Sequence, residues 1–435
     1  MSAQGFSEEH LAAVWSRLRW KRGRSCAKEL AVGVDGMRPE AFDQRLTWHL
    51  AEISRLIRRP REDGLPAYRF GPLLQFEHAK PGGGVRLIHV PRLRDQVVLR
   101  ALHEELCSTW REHAGINLTP PEPRATLDAF RRLLRQPGAK WALRADIKSF
   151  FDTVPREAAI EMAVTVPLHN LARDLLRIWS GDVRVRPAWR AGKSADLPAS
   201  GLPQGLSLSA SLAELWASRL DGALTGKFSH LRFVDDIVVV GESAVEMEQA
   251  RDTLMRAAAD LGLELSAAKT KVIPLAQGVP WLGMLHFLDR SLPIPDRVDK
   301  WLHRFVGLRR RAGRDLDACS EPAERSEVVR RFHAMVREEL SGNFSWRVRW
   351  YALAEEDGTW RELDRSLHAM IRSLHRRAGE APPVGRRLPS VHRSLRLRRL
   401  SASPKADQGP CAISPPHGGI SADKGLKAHG EAESL

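Results

Sequence analysis

Apolar positions follow a helical period at both ends of the chain and a strand period in parts of its middle. Residues 1–60 and 93–115 carry apolar residues at helical spacing and are predicted to be helical, as is a short segment near 125–135. Residues 70–92 are predicted to form a β-hairpin, because β-branched runs follow the glycine-rich turn that begins at Pro81.

The middle of the chain has the densest sequence of predicted elements. The pattern indicates a buried strand, helices, a hairpin, a further helix that a Ser243–Glu246 capping box opens, and closing strands. These elements are expected at 141–147, 155–180, 207–220, 231–241, 243–262, 271–275 and 281–287. Strand, helix, hairpin, helix and strand in this order are typical of a ferredoxin-like split βαβ unit.

After residue 295 the pattern becomes that of amphipathic helices with basic flanks. Two apolar faces are expected, one formed by Val298, Trp301, Leu302, Phe305 and Leu308 and the other by Trp360, Leu363, Leu367, Met370, Ile371 and Leu374. Residues 400–435 are rich in Ser, Pro, Gly and Ala and are predicted to be a disordered tail.

Composition adds a strong positive charge. The 435 residues carry 68 Lys and Arg against 53 Asp and Glu, a formal net charge of +15. A polyanionic partner such as nucleic acid would explain this charge, since arginine pairs bidentately with phosphate. A GC-rich genome that encodes arginine at solvated positions would explain the positive charge equally well. The charge alone therefore leaves both interpretations open.

Cysteine spacing and hydropathy exclude several classes of protein. The four cysteines are far apart and form no CxxC pair, which speaks against a disulfide framework and a zinc knuckle. No apolar run approaches the roughly 18 residues of a membrane span, and the first residues lack the apolar stretch of a signal peptide. We therefore expect a cytoplasmic protein with no membrane partner.

Three carboxylates indicate metal-dependent chemistry. Asp235 and Asp236 are predicted to occupy the tip of the hairpin, where their mutual repulsion would be relieved by a bound divalent cation. Asp146 ends the preceding strand, which lies beside the hairpin in a split βαβ unit, so the three side chains are expected to meet. Two Mg²⁺ ions about 3.5–4 Å apart, bridged by such carboxylates, would serve phosphoryl transfer.

Five segments in order resemble the motifs of reverse transcriptases. They are LRADIKSFFD from Leu143, GLPQGLSLSASLAEL from Gly201, FVDD from Phe233, LGLELS from Leu261 followed by Lys269-Thr270-Lys271, and WLG from Trp281. The resemblance covers roughly residues 30–290. It implies an α+β right-hand polymerase with fingers, a ferredoxin-like palm and a helical thumb-like segment.

The resemblance also implies a division of the chain and a set of partners. The expected regions are an N-terminal helical region at 1–65, fingers at 66–140, palm at 141–290, thumb at 291–399 and the tail at 400–435. The expected partners are an RNA template, which could be a dedicated non-coding RNA, a DNA product and dNTPs. Two Mg²⁺ ions are the expected cofactors, with Mn²⁺ as the alternative, and a homo-oligomer is left open.

By the same resemblance, the catalytic metal ligands would be Asp146, Asp235 and Asp236, with Ile147 in the metal site and in nucleotide binding. The ordinary alternative for the aspartates is strand-end and turn positions without a metal. Asp152 could also bind metal, but a salt bridge or helix cap is the favoured interpretation.

Further residues would contact the nucleotide. Phe151 would lie under the incoming sugar and exclude a 2′-hydroxyl, which favours dNTPs, and Gln204 would touch the nucleotide or the template base. Lys80 and Arg86 would grip the triphosphate, and Lys269 would donate a proton to pyrophosphate. A core aromatic, a generic loop and solvated basic side chains are the structural alternatives.

The chain departs from the commonest family pattern at Phe233, where tyrosine is usual. The ring is kept and the hydroxyl is lost, which does not imply inactivity. The second motif is most similar to defence-associated bacterial enzymes, so an anti-phage role is expected. A retron enzyme, a group II intron-derived enzyme and an RNA-binding maturase or scaffold that no longer polymerises remain as alternatives.

Overall fold

The computed structural model describes residues 6–20, 30–79, 83–119, 123–188, 195–196, 200–341 and 359–382. In this part of the chain, no helix combines the length and the apolar character that crossing a bilayer requires. Lys80 and the predicted tail lie outside the described residues. The fold is α+β, as the sequence predicts, whereas the predicted division into five regions stays a prediction.

The N-terminal part consists of helices around a β-hairpin. Its elements are α1 (Glu8–Arg19), α2 (Pro39–Gln44), α3 (Leu46–Arg58), β1 (Leu73–Ala79), β2 (Val85–Val90), α4 (Leu93–Ala114) and α5 (Pro123–Leu134). The predicted hairpin and the predicted helix at 93–115 are confirmed. The α4 helix ends at Gly115, whose φ of 66° is a left-handed conformation that glycine adopts without strain.

The middle of the chain alternates between strands and helices. Its elements are β3 (Trp141–Asp146), α6 (Phe150–Thr153), α7 (Arg156–Ala163), α8 (Asn170–Asp182), β4 (Arg184–Pro187), β5 (Ala195–Asp196), α9 (Ser207–Leu224), β6 (Ser229–Phe233), β7 (Asp236–Gly241), α10 (Ala244–Asp260) and β8 (Lys271–Pro274). The order β6-β7-β3-β8 forms an antiparallel four-stranded sheet, here called the palm sheet. This is the strand order of the predicted ferredoxin-like unit, which is confirmed.

The two faces of the palm sheet pack differently because side chains alternate along a strand. Leu143 and Val239 belong to the large core cluster that also contains Leu212 of α9 and Leu254 of α10. The opposite face contributes Ala142, Val238 and Val240 to a smaller cluster with Phe130 and Trp281. The two helices therefore cover one face, and α5 with the segment around Trp281 covers the other.

The last part contains a small sheet and a helical layer. Its elements are β9 (Val279–Trp281), β10 (Met284–His286), β11 (Ser291–Pro293), α11 (Pro295–Asp317), α12 (Pro322–Ser341) and α13 (Thr359–Ala378). Phe305, Leu367 and Ile371 are fully buried in one cluster between these helices, which confirms the predicted apolar faces where side chains are described.

Two local predictions are wrong in detail. Residues 281–287 do not form one strand, because Leu282 and Gly283 both have positive φ, 48° and 84°. They form a two-residue turn of the kind that joins hairpin strands, here β9 and β10. The predicted capping box is half formed: Ser243 Oγ accepts from the Glu246 amide at 3.2 Å, but the Glu246 carboxylate accepts from Glu242 N–H instead of Ser243 N–H.

The β1–β2 hairpin is also part of a larger sheet than the sequence predicts. Strand β4 pairs with β1 in parallel, with Leu73 opposite Val185, and β5 follows at the edge. This pairing connects the hairpin to the segment after α8, so the sheet joins regions that are far apart in sequence.

Candidate active site

The turn between β6 and β7 places two carboxylates at the end of the palm sheet. Phe233 pairs with Asp236 across the hairpin, so Val234 and Asp235 form the turn itself. Val234 has a φ of 61°, an unfavourable backbone conformation for a β-branched residue. Such a conformation persists only where the surrounding structure enforces it, which it often does at functional sites.

The strand that carries Asp146 is tied to this turn by the backbone. Asp146 pairs directly with Asp236 in the β3–β7 ladder. The Ile147 amide donates to the Asp235 carbonyl at 3.0 Å, and the Ser266 amide donates to the Asp146 carbonyl at 2.8 Å. The three predicted carboxylates are therefore brought to one corner of the sheet, with Ile147 between them.

Lys269 lies directly against Asp146. Its Nζ is 2.9 Å from each of the two carboxylate oxygens of Asp146. Asp146 is only 8 % exposed, whereas the lysine side chain is half-exposed. The sequence predicts Lys269 near the leaving phosphate, and the structure places its ammonium group on a predicted metal ligand.

Asp236 has a basic partner of its own that the sequence analysis missed. Arg144 donates from Nε to Asp236 Oδ1 and from Nη2 to Oδ2, both at 3.3 Å. Arg144 precedes Asp146 by two residues and therefore points to the same face of β3. That strand period was the signal that could have identified the pair.

The pKa values of Asp235 and Asp236 are raised. Burial raises the pKa of Asp235, and the negative charge of Asp146 raises it further, against the opposing charges of Lys269 and Arg86. Burial raises the pKa of Asp236 to about 6, against the lowering effect of Arg144, and the charges of Asp235 and Asp146 add to the rise. The site therefore concentrates negative charge in a place with little solvent.

The donor set suits a divalent cation, although it is not preassembled as a metal site. Across the described ranges, no group of three or more His, Cys, Asp or Glu side chains is arranged to hold a metal ion. Lys269 and Arg144 each engage both oxygens of one of these carboxylates. Carboxylate oxygens are ligands that Mg²⁺ prefers, and the repulsion that raises the pKa of Asp235 is what a cation would relieve.

The loop that begins the second motif packs beside Asp152 and Phe151. The Leu202 amide donates to the Phe151 carbonyl at 2.7 Å, and Phe151 itself is partly buried with an edge-on contact to Phe150. Gln204 Nε2 donates to Asp152 Oδ1 at 3.2 Å. Asp152 therefore holds Gln204, in place of the predicted salt bridge or helix cap.

The same loop contacts the first hairpin. The His89 amide of β2 donates to the Gln204 carbonyl at 2.7 Å. A Cβ on Gly205 would lie 2.8 Å from the His89 carbonyl oxygen, so this approach requires glycine. Arg86 lies further along β2, close enough to the carboxylates for its charge to lower the pKa of Asp235.

A buried ion cluster behind the turn is a further feature that the sequence analysis did not identify. Arg232 donates to Asp221 at 2.7 Å and lies 2.8 Å from Glu214, both on α9. It also donates from Nη1 to the Val234 carbonyl at 3.0 Å. Arg232 thus connects α9 to the strained turn that carries Asp235.

Comparisons with known proteins agree with the motif order. Residues 78–286 match the family model of "Reverse transcriptase (RNA-dependent DNA polymerase)". The chain is 24% identical over 228 residues to the Retron Mx65 reverse transcriptase of Myxococcus xanthus, which covers 50% of this chain and 50% of that protein. The chain therefore spans about half the length of this curated relative.

A solved structure of apo telomerase from Candida tropicalis, truncated from its C-terminal domain, is also similar, with a TM-score of 0.41 and 12% identity over 52% of this chain and 55% of that one. The family match contains Asp146, Asp235 and Asp236 and all five motifs in full, and it ends three residues after the fifth. By this match and its bacterial relative, residues 78–286 of the chain are similar to the reverse transcriptase domain.

Proposed function

We propose that this protein is an RNA-directed DNA polymerase that extends DNA from dNTPs by metal-dependent nucleotidyl transfer. One observation carries the proposal: β3 and the hairpin turn are joined by the 3.0 Å hydrogen bond from Ile147 N–H to the Asp235 carbonyl. This bond holds two carboxylates of a reverse transcriptase domain at one corner of the palm sheet.

Asp146 and Asp235 are the residues that would hold the metal ions, with Asp236 and Ile147 beside them. Two bound Mg²⁺ ions, or Mn²⁺, would neutralise phosphate charge and align the reacting oxygens. Arg144 keeps Asp236 oriented toward this corner. The low exposure of Asp146 limits competition from water for its oxygens.

Other side chains would bind and orient the nucleotide. Arg86 brings positive charge toward the carboxylates from β2, where a triphosphate would be held, and Lys80 is proposed to act with it. Phe151 would exclude a 2′-hydroxyl, and Gln204, fixed by Asp152, would contact the nucleotide or the template. Lys269 Nζ carries a proton close to the acidic corner and would deliver it to the leaving pyrophosphate.

The proposed partners are an RNA template, a DNA product and dNTPs. The net charge of +15 supports a polyanionic partner. Similarity to a retron reverse transcriptase supports the retron alternative over the group II intron alternative, with a dedicated non-coding RNA as template. We further propose a role in anti-phage defence in the cytoplasm.

Primer extension on a defined RNA template tests the activity. The purified protein should incorporate dNTPs, with Mg²⁺ present, into DNA complementary to the template. Incorporation that is unchanged when the RNA is digested beforehand would contradict templated synthesis. Sequencing the RNA and DNA that co-purify with the protein identifies the template, and phage plating efficiency with and without the gene tests the defence role.

A further inference from the structure

A buried histidine, His89, joins the first hairpin to the loop that carries Gln204. His89 is 6 % exposed and lies in β2, the strand that also carries Arg86. Its main-chain N–H donates to the Gln204 carbonyl at 2.7 Å, and a Cβ on Gly205 would lie 2.8 Å from the His89 carbonyl oxygen. The backbone of β2 is therefore in close contact with the loop at two successive residues.

The ring of His89 is held from β1. Gln75, which pairs with His89 in the β1–β2 ladder, has its Nε2 3.1 Å from His89 Nε2, and both side chains are buried. An amide nitrogen can only donate, so His89 Nε2 accepts this hydrogen bond. The proton of the neutral imidazole therefore resides on Nδ1.

This Nδ1 proton faces the loop without a well-aligned acceptor. Nδ1 is buried and makes no hydrogen bond within the described part of the chain. Burial lowers the pKa of His89, while the Gln204 backbone and the charge of Asp152 oppose that shift, so both groups lie close to the ring. A buried donor without a partner is costly, and such groups in native proteins call for an explanation.

The Gln204 carbonyl can supply the missing acceptor. A carbonyl oxygen accepts two hydrogen bonds, so the Gln204 carbonyl can bind the His89 ring as well as the His89 main-chain N–H. A small shift of the loop toward the ring would complete this second bond. The Gln204 side chain is separately held, since its Nε2 donates to Asp152 Oδ1 at 3.2 Å.

We propose that His89 is a positioning residue for nucleotide binding, whose Nδ1 proton binds the Gln204 carbonyl and so fixes the loop from which Gln204 contacts the incoming nucleotide. This role rests on the proposed contact between Gln204 and the nucleotide. Arg86 and Gln204 are then both placed by β2, Arg86 as part of the strand and Gln204 through His89.

Two substitutions separate the roles of the two ring nitrogens. The amide nitrogen of asparagine lies near the position of histidine Nδ1, and the amide nitrogen of glutamine, one methylene further out, lies near that of Nε2. His89→Asn therefore keeps a donor toward Gln204, whereas His89→Gln keeps the contact with Gln75 and loses that donor. A histidine that only fills space would tolerate both substitutions equally.

Primer-extension kinetics measure the effect on nucleotide use. His89→Gln should raise the dNTP KM about five- to tenfold, the size expected for loss of one hydrogen bond, and should leave kcat within about twofold of the wild type. His89→Asn should keep the wild-type KM within about twofold. In a Gln204→Ala background the two His89 variants should no longer differ, because His89 acts through Gln204.

Hydrogen–deuterium exchange measures the loop without any polymerase assay. The peptide that contains residues 201–206 should exchange faster in His89→Gln than in the wild type, and at the wild-type rate in His89→Asn. If the wild-type protein incorporates no dNTP but this exchange pattern holds, the polymerase proposal fails and the positioning of the loop by His89 stands.

An equal rise of KM in both variants, or a wild-type KM in His89→Gln, would overturn the role of His89. Exchange of residues 201–206 that is the same in all three proteins would overturn it as well. If His89→Gln does not fold, His89→Asn decides alone: a wild-type KM supports a donor role for Nδ1, and a KM about five- to tenfold higher contradicts it.

Discussion

Lys269 has two partners that it cannot serve at once, the leaving phosphate of the proposed reaction and the Asp146 carboxylate that it contacts in the structure. Its Nζ lies 2.9 Å from both oxygens of Asp146. Delivery of a proton therefore requires that this ion pair opens. Lys269 is thus a group whose contribution to catalysis can be separated from its contribution to the structure.

Lys269→Met is expected to lower kcat by about 100-fold, which lies within the range for loss of a general acid. The matched control is Lys271→Met, since Lys271 is an exposed lysine two residues later on β8. Primer-extension kinetics measure kcat for both variants. Equal effects of the two substitutions, or a wild-type kcat for Lys269→Met, would argue against the proton-donor role.

Phe151→Ala is expected to reduce discrimination against rNTPs by about 10–200-fold, the range for loss of a pocket contact. Its neighbour Phe150 is buried at 3 % exposure and contributes to the core. Phe150→Leu should therefore lower stability and leave the sugar preference intact. Comparing kcat/KM for dATP and ATP in both variants tests whether Phe151 is the side chain that excludes rNTPs. Unchanged selectivity in Phe151→Ala would show that another residue excludes them.

Motif order and strand period were sufficient to place Asp146, Asp235 and Asp236 together. The side chains that hold them were not found, because their partners are distant in sequence: Lys269 is 123 residues from Asp146. Arg144 was the exception that the period-two rule could have identified. The sequence predicted that Gln204 contacts the nucleotide. It did not predict that Asp152 holds Gln204, because these two residues are also distant in sequence.

At the scale of elements, the ion cluster of Arg232 with Asp221 and Glu214 joins α9 to the strained turn. The Arg232 and Glu214 side chains are 5% and 7% exposed, so the pair is largely shielded from water. Through Nη1 and the Val234 carbonyl, Arg232 is a positioning residue for Asp235. The cluster explains how a β-branched residue is held at positive φ.

Arg232→Met should lower the free energy of unfolding by about 3–5 kcal/mol, because it leaves two carboxylates without their cation. Asp221→Asn, which keeps the Glu214 pair, should fold and show a lower kcat with an unchanged dNTP KM. The control is Arg219→Met on the exposed face of α9, where Arg219 stacks on Trp216. Chemical denaturation and steady-state kinetics measure these effects. Wild-type kcat in a folded Asp221→Asn variant would rule out positioning through this cluster.

The elements that the sequence missed have two causes, pairing with a distant strand and an unusual backbone conformation at a turn. Strand β4 is short and joins β1 across more than a hundred residues, so no local pattern predicts it. The sequence did not predict the turn at Leu282, because leucine rarely adopts positive φ. Long helices such as α4, α9 and α10 were predicted well, since their apolar period is local.

The whole molecule contains neutral histidines buried at its packing interfaces. His286 is the last residue of β10 and is fully buried beside Phe130. It contacts Ser291 Oγ at 2.9 Å and the Trp281 carbonyl at 3.2 Å. Burial lowers the pKa of His286 to about 4. His103, on α4, contacts Ser211 of α9, and burial likewise lowers the pKa of His103 to about 4.

These shifts predict acid sensitivity. In the unfolded chain a histidine takes up a proton near pH 6.5, whereas these two stay neutral in the folded protein until about pH 4. Stability should therefore fall as pH decreases from 6.5 to 4, by up to about 1.4 kcal/mol per pH unit for each histidine.

His286→Gln should be less stable at pH 7 but should lose less stability on acidification, as measured by urea unfolding at several pH values. A control substitution at exposed His303 should keep the wild-type pH dependence. An identical slope in His286→Gln and wild type would show that His286 does not titrate between the folded and unfolded states.

Primer extension by the Asp235→Asn/Asp236→Asn variant tests the central claim most directly. The control, Asp252→Asn/Asp289→Asn, removes two exposed carboxylates elsewhere. The expected result is loss of Mg²⁺-dependent dNTP incorporation in the first variant, with folding and RNA binding kept, and wild-type incorporation in the control. Full incorporation by the Asp235→Asn/Asp236→Asn variant would contradict the assignment of the palm-sheet corner as the polymerase site.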